Sequence, residues 1–234
     1  MIDLYTWTTP NGRKVSILLE ELGVPYTAHP IDITKDDQFA PDFLKISPNN
    51  KIPAIKDHDN GLCLMESGAI MWYLADKYGK FLPSDAIGRA KVHEWLMWQM
   101  AGVGPMNGQA HHFVRYAPED QTYGVNRYTN EVRRLLGVME YQLKQADYLA
   151  GEYSIADIAC WPWVTISGIL DVSLEDFPNV KKWHDAIAAR EAVIRATHSE
   201  EDLPERFYRK RMELTNDEWS NLFGEKFLAA GGVR

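Results

Sequence analysis

The sequence contains little cysteine. Its 234 residues include two, Cys63 and Cys160, which lie far apart and outside any Cys-x-x-Cys or metal-ligand spacing. This scarcity excludes a disulfide scaffold, and the spacing gives no indication of a zinc site. Unpaired cysteines fit a reducing compartment, so we expect a cytoplasmic protein that binds no metal.

Long apolar runs and an excess of positive charge are also missing. No segment approaches the roughly 18 consecutive apolar residues that a membrane span requires. Met1–Tyr5 has neither the basic region nor the apolar run of a signal peptide. The net charge of −8 argues against non-specific nucleic-acid binding, which needs Lys and Arg on phosphates. We therefore expect small or neutral partners, with no membrane and no nucleic acid.

The remaining composition is ordinary for a globular protein, with 45% apolar and 25% charged residues. A chain of this length forms one large domain or two small ones. Strand and helix signals alternate over the first eighty residues. We expect strands at Ile2–Trp7 and Tyr26–Ile33, a hairpin of Ala54–Asp57 and Leu62–Met65, and helices beginning near Thr9, Pro41 and Ser67. This order predicts a thioredoxin-like α/β domain over residues 1–80.

From residue 86 onward the apolar residues recur at helical spacing. Ser154–Asp157 is a hydroxyl-x-x-acid capping box before an apolar run, and Thr215–Glu218 is a second one. We expect an all-α domain over residues 86–200, followed by a charged, partly ordered C-terminal extension over residues 201–234.

The most informative motifs are Asn50–Ile55 and Glu66–Ile70. The first ends a loop at a proline and enters a short apolar strand. The second ends a strand and opens a helix with an acidic residue and a hydroxyl. A strand beside a loop proline pairs with peptide backbone, and a helix N-terminus binds carboxylates through its unpaired N–H groups. Together the two motifs suggest a site for the small peptide glutathione.

On these motifs the chain resembles the glutathione transferase family, with a match that extends to about residue 198. Within the family it is similar to the nu class, which includes disulfide-bond oxidoreductases and is itself similar to the prion-forming nitrogen regulator. Four runs carry the class similarity: Thr9–Gly12, Ser47–Pro53, Gly104–Met106 and Ser154–Trp163. The resemblance implies the glutathione transferase fold, a homodimer, and glutathione or glutathione disulfide as co-substrate.

The resemblance also implies how glutathione is held. The Ile52-Pro53 peptide bond is expected in cis, so that the backbone of Ile52 faces the cysteinyl backbone of glutathione. Glu66 is expected to bind the γ-glutamyl amine. Ser67 and the helix N-terminus beside it are expected to bind the γ-glutamyl carboxylate.

Further contacts are implied at both ends of the ligand. No cysteine occurs in the turn before the first helix, so Thr9 and Asn11 are expected to donate hydrogen bonds to the glutathione sulfur. Thr9 has the simpler alternative of a helix cap. Gln38 and Lys51 are expected at the glycyl end, and Arg127 is expected to reach in from a neighbouring subunit. Lys51 and Arg127 have the alternative of solvated surface charges.

Other conspicuous residues receive structural interpretations. Adjacent His111 and His112 point in different directions on a helix, and no carboxylate follows at ligand spacing, so we expect no metal there. Trp163 is expected in the core or domain interface, where it would also make a second-substrate pocket aromatic. Cys63 and Cys160 are expected to be buried packing residues.

Two functions stay open at this point. The first is a glutathione-dependent enzyme that reduces small disulfides or transfers glutathione to electrophiles. The alternative is a non-enzymatic glutathione-binding regulator of the nitrogen-regulator type. That regulator carries an Asn/Gln-rich N-terminal tract, which this sequence does not contain. We therefore expect the enzyme.

Overall fold

The computed structural model describes residues 1–117, 120–197 and 210–226. No helix in these ranges is long and apolar enough to cross a membrane. Of the predicted extension over residues 201–234, the start at residue 201 and the part beyond residue 226 lie outside the described residues.

The first domain is a four-stranded sheet with helices packed on it. The elements are β1 (Ile2–Thr6), α1 (Pro10–Leu22), β2 (Tyr26–Pro30), α2 (Pro41–Ile46), β3 (Ala54–Asp57), β4 (Leu62–Met65) and α3 (Ser67–Tyr78). The strand order is β2-β1-β3-β4, with β1 and β2 parallel and the other two pairs antiparallel. This arrangement confirms the thioredoxin-like prediction.

Two strand ends differ from the prediction. β1 stops at Thr6 and β2 stops at Pro30, three residues before the predicted end at Ile33. The N–H of Ile31 still donates to the carbonyl of Thr6, 2.8 Å away. Because β1, the neighbour of β2 in the sheet, ends at Thr6, the parallel pairing stops after this bond.

The second domain is helical, as predicted. Its elements are α4 (Ala86–Trp98), α5 (Gly104–His111), α6 (Thr122–Leu143), α7 (Ile155–Thr165), α8 (Pro178–Ala188) and α9 (Glu191–Thr197). α4 begins at Ala86 because the side chain of Asp85 accepts from the N–H of Gly88 at 2.9 Å and caps the helix. π-helical turns at Gln99–Val103 and His112–Tyr116 bracket α5, and the sequence pattern did not reveal them.

α7 is the helix that the first capping box predicts. Asp157 is buried and accepts hydrogen bonds from the backbone N–H groups of Ser154 and Leu149 and from the indole of Trp183. Burial raises the pKa of Asp157 to about 6. The predicted capping box is confirmed, and the contacts of Asp157 also join α7 to the preceding loop and to α8.

The extension contributes one further described helix, α10 (Asn216–Phe223), capped by Thr215 and Glu218 as predicted. The division of the chain at residues 80, 86 and 200 stays a prediction. One apolar core runs through both domains, because α1 packs against α3 on one side and against α7 and α9 on the other.

Candidate functional site

A cavity of about 780 Å³ lies between the two domains. Its walls include Asn11 from the start of α1, Lys51 from the loop before β3, and Glu66 at the start of α3. These three residues were predicted from distant parts of the sequence to serve one ligand. The fold brings them to one cavity, whose size falls within the ~300–1,000 Å³ typical of ligand pockets.

Asn11 is held in a defined orientation. Its Oδ1 accepts a hydrogen bond from Nε1 of Trp163 in α7, at 3.2 Å. An indole N–H can only donate, so the side-chain amide must present its oxygen to Trp163 and its Nδ2 donor elsewhere. Asn11 and Trp163 both line the cavity, and the contact ties the first turn of α1 to the helical domain.

Thr9 is the N-cap of α1. Its Oγ1 accepts from the N–H of Gly12 at 3.2 Å, which matches the simpler interpretation of this residue. A Cβ at Gly12 would collide with the carbonyl oxygen of Trp7, so the close approach of α1 to the end of β1 requires glycine. Thr9 is half-buried and does not line the cavity. Its hydroxyl hydrogen is not used by the cap, because the cap uses the oxygen as an acceptor.

The loop before β3 has the predicted conformation. The Ile52-Pro53 bond is cis. The loop is fixed from beneath by Ser47, which is fully buried and donates its hydroxyl to the carbonyl of Lys51 at 2.7 Å. Pro53 is buried, and Lys51 faces the cavity.

Glu66 and Ser67 begin α3. Glu66 occupies the N-cap position with a φ of 71°, and its exposed side chain makes no capping bond. A positive φ is uncommon for a residue with a side chain and is frequent at functional sites. Ser67 is the first helical residue and is buried, and its Oγ accepts from Nζ of Lys14 at 3.3 Å.

Lys14 is a functional candidate that the sequence analysis missed. It lines the cavity, yet its side chain is only 1% exposed, and Nζ donates to Oε1 of Gln99 at 2.7 Å. Burial lowers the pKa of Lys14 to about 7. The sequence did contain a signal for Lys14: it lies three residues after Asn11, a spacing that places both side chains on one face of α1.

The helical domain and the extension form the opposite wall of the cavity. The ring of His112 packs edge-on against that of Phe223 of α10, with centroids 4.8 Å apart. Trp163, Leu222 and Phe223 all line the cavity, so this half is largely apolar and aromatic. His111 points instead into the interior, where burial lowers its pKa to about 3. Among the described residues no group of three or more potential ligands could hold a metal ion.

Gln38 and Arg127 do not line this cavity. Gln38 is 4% exposed, and its Nε2 donates to the carbonyls of Ile33 and Asn221, the latter in α10. Arg127 lies on α6, half-exposed, 3.9 Å from a carboxylate oxygen of Glu131. The contact of Arg127 with glutathione in a neighbouring subunit stays a prediction.

The cysteine prediction was half wrong. Cys160 is fully buried in α7, and burial raises the pKa of its thiol. Cys63 is exposed. It lies on β4, an edge strand, and successive side chains of a strand point to opposite faces. Neither thiol lines the cavity.

Two family models match the chain. The model for the N-terminal domain of glutathione S-transferase matches residues 8–77, and the model for its C-terminal domain matches residues 112–191. Among similar proteins, the disulfide-bond oxidoreductase YfcG of Escherichia coli is 49% identical over 202 residues. That alignment covers 84% of this chain and 94% of YfcG.

Solved structures with the same fold contain bound glutathione. A glutathione transferase from Burkholderia graminis, with two glutathione molecules bound per subunit, has a TM-score of 0.82 and 45% identity, covering 86% of this chain and 88% of that one. A glutathione transferase from Pseudomonas putida, with one glutathione disulfide bound per subunit, has a TM-score of 0.79 and 42% identity. It covers 85% of this chain and 91% of that one.

Proposed function

The chain belongs to the glutathione S-transferase family, and we propose that it is a glutathione-dependent disulfide-bond oxidoreductase. The observation that carries the proposal is the composition of the cavity wall. Asn11, Lys51 and Glu66 line one cavity, and neither of the two cysteines of the chain does. A site of this kind positions thiols that arrive with the substrates, because it has none of its own.

In the proposed reaction two glutathione molecules reduce one disulfide. The thiolate of the first attacks a sulfur of the substrate disulfide, which forms a mixed disulfide and releases one substrate thiolate. The thiolate of the second attacks the glutathione sulfur of that mixed disulfide, which forms glutathione disulfide and releases the second substrate thiolate. The two protons lost by the glutathione thiols are taken up by the two released thiolates.

The protein residues favour the charged form of sulfur and fix the peptide. The amide Nδ2 of Asn11 and the hydroxyl of Thr9 donate hydrogen bonds to sulfur at the N-terminus of α1, where the helix dipole also favours a thiolate. The backbone of Ile52, turned outward before Pro53, pairs with the cysteinyl residue. Glu66 binds the γ-glutamyl amine.

The other predicted contacts belong to the same proposal. Ser67 and the N-terminus of α3 bind the γ-glutamyl carboxylate. Lys51 and Gln38 serve the glycyl end, and for Gln38 this requires its buried amide to exchange its present partners. Arg127 contributes from the neighbouring subunit.

The enzyme is proposed to act as a cytoplasmic homodimer. Support for the dimer comes from α4, where Ile87 is 78% exposed and Met97 is 44% exposed, so the helix presents apolar area without a partner in the described chain. Equilibrium sedimentation at micromolar concentration is expected to give twice the chain mass. A monomer at that concentration would also remove Arg127 from the proposed site.

A turnover assay tests the function. Purified protein is given glutathione and, in parallel, a small dialkyl disulfide, a chloronitrobenzene and a hydroperoxide, and we expect the disulfide to be the best substrate. The double variant Cys63→Ser/Cys160→Ser is expected to keep near wild-type turnover, because neither thiol borders the cavity. No disulfide turnover with tight glutathione binding would favour the regulatory alternative, and a large loss in the folded double variant would implicate a protein thiol.

A further inference from the structure

Lys14 is a buried amine surrounded by neutral groups. Besides Gln99 and Ser67, its Nζ has Sδ of Met100 at 3.6 Å. Within the described ranges it forms no ion pair with a carboxylate. An ammonium ion removed from water without a counter-charge is costly, so the site favours the neutral amine until a negative charge arrives.

The groups around Lys14 form an incomplete set of donors at the cavity. Gln99 is fully buried, and because its Oε1 accepts from Lys14, its Nε2 is left with no hydrogen-bond partner among the described residues. Ser67 stands at the first position of α3, a twelve-residue helix whose N-terminus also presents unpaired N–H groups. A buried unpaired amide, a buried amine that can take up a proton and a helix N-terminus in one place would together bind an anion.

The titratable neighbours do not supply that anion. Glu66 on α3 and Cys160 on α7 act on Lys14 only at longer range. Cys160 stays a neutral thiol because burial raises its pKa. On another part of α1 the carboxylate of Glu20 is paired with Arg195 of α9, at 2.8 Å, and so does not serve Lys14.

We propose that Lys14 is the counter-charge for the γ-glutamyl carboxylate of glutathione, and that it takes up a proton when this carboxylate binds at Ser67 and the N-terminus of α3. The inference rests on the proposed function for the identity of the ligand. Lys14 acts as a positioning residue, because its charge reaches the ligand through Ser67 and Gln99. In the empty site the neutral amine of Lys14 avoids the free-energy cost of burying a charge. The amine becomes charged only when the ligand is bound.

The test measures proton uptake on binding. S-methylglutathione is the probe, because its thioether cannot ionise and the proton of the glutathione thiol is therefore removed from the count. Titration calorimetry at about pH 8 in two buffers of different ionisation enthalpy gives the number of protons bound per ligand. For wild type we expect an uptake of roughly 0.5–0.9 proton per site, since Lys14 is mostly neutral at that pH before binding and mostly charged after it.

Matched variants assign the proton. Lys14→Met is expected to bind the probe more weakly and without proton uptake. His112→Gln, which removes an imidazole at the cavity wall that can also bind a proton, is expected to keep the uptake. Between about pH 6.5 and 8.5 the wild-type Kd is expected to rise with pH up to tenfold per unit, and that of Lys14→Met to stay nearly constant.

The outcomes separate the two proposals. Tight binding of the probe without proton uptake in wild type overturns the role of Lys14 and leaves the glutathione site standing. Failure of the probe to bind wild type contradicts the proposed function itself. An uptake that persists unchanged in Lys14→Met assigns the proton to another group and also overturns the inference. If Lys14→Met does not fold, the wild-type and His112→Gln measurements still test the inference: no uptake in wild type overturns it, and an uptake kept in His112→Gln supports it.

Discussion

Asn11 offers the sharpest test of how the sulfur is activated. Its Oδ1 accepts from Nε1 of Trp163 at 3.2 Å, and its Nδ2 is the donor that we assign to glutathione sulfur. The variant Asn11→Asp keeps an acceptor for the indole and replaces the donor with a negatively charged oxygen. It therefore changes the contact to sulfur while the contact to Trp163 remains.

The expected effect can be sized from two contributions. A hydrogen bond to a charged group is worth about 1.5–3 kcal/mol, and one pKa unit corresponds to about 1.4 kcal/mol, so losing the donor raises the pKa of bound thiol by roughly 1–2 units. A carboxylate about 5 Å from a thiolate adds a repulsion of about 3 kcal/mol at an effective dielectric constant of about 20. We therefore expect a rise of roughly 3–4 units in the pKa of bound thiol for Asn11→Asp and of roughly 1–2 units for Asn11→Ala.

The assay follows the ultraviolet absorbance of bound thiolate against pH in each protein. Turnover at neutral pH should fall in the same order as the thiolate population, with Asn11→Asp slowest. Trp163→Phe is the comparison variant: it removes the indole N–H that orients the Asn11 amide but keeps that amide as a donor, so it should raise the pKa less than Asn11→Asp does. If Asn11→Asp titrates like wild type, the sulfur does not lie against this side chain, and the assignment of Asn11 is refuted.

Three further predictions concern other residues of the proposed site. Thr9→Ala should lower the free energy of unfolding by about 1 kcal/mol through loss of the cap, and should also raise the pKa of the bound glutathione thiol, whereas Thr9→Ser should do neither. A loss of stability without a change in that pKa would make Thr9 only a cap. Glu66→Ala and Ser67→Ala should each weaken glutathione binding about tenfold or more in calorimetry, with unchanged circular dichroism, and unchanged affinity in either would contradict its assignment. Phe223→Ala should raise the ratio of kcat/KM for a bulky aromatic disulfide to kcat/KM for a small one by roughly tenfold. Met212 lies in the same extension and is 87% exposed, so Met212→Ala should leave that ratio unchanged. Equal ratios in the two variants would show that Phe223 does not limit the size of the substrate.

Features specified by neighbouring residues were predictable from the sequence. The β3–β4 hairpin has the predicted bounds because Asn60-Gly61 fixes its turn. α1 likewise has the predicted start and end because a hydroxyl residue and a proline open it, and Gly23 closes it with a φ of 68°.

Features that depend on distant contacts were not predictable in this way. The burial of Lys14 depends on Gln99, 85 positions away along the chain. The present partner of Gln38 in α10 is 183 positions away. Local patterns report which residues share a face, and they do not report what packs against that face. The exposure of Cys63 follows from its position on the face of β4 opposite to Leu62 and Leu64, and the local pattern does not report which of the two faces is covered.

α10 is also the last described part of the cavity that the ribosome would make. It reaches both domains, because Asn221 donates to the carbonyl of Thr34 at 2.7 Å and Trp219 donates to the carbonyl of Tyr116 at 3.1 Å. Chains emerge with the N-terminus first, and domains fold as they appear. The residues of the α/β domain, with Asn11 and the start of α3, therefore leave the ribosome before those of α10. A growing chain thus exposes the residues that we assign to the peptide before it makes the last described part of the cavity wall, which we expect to restrict the disulfide that can enter.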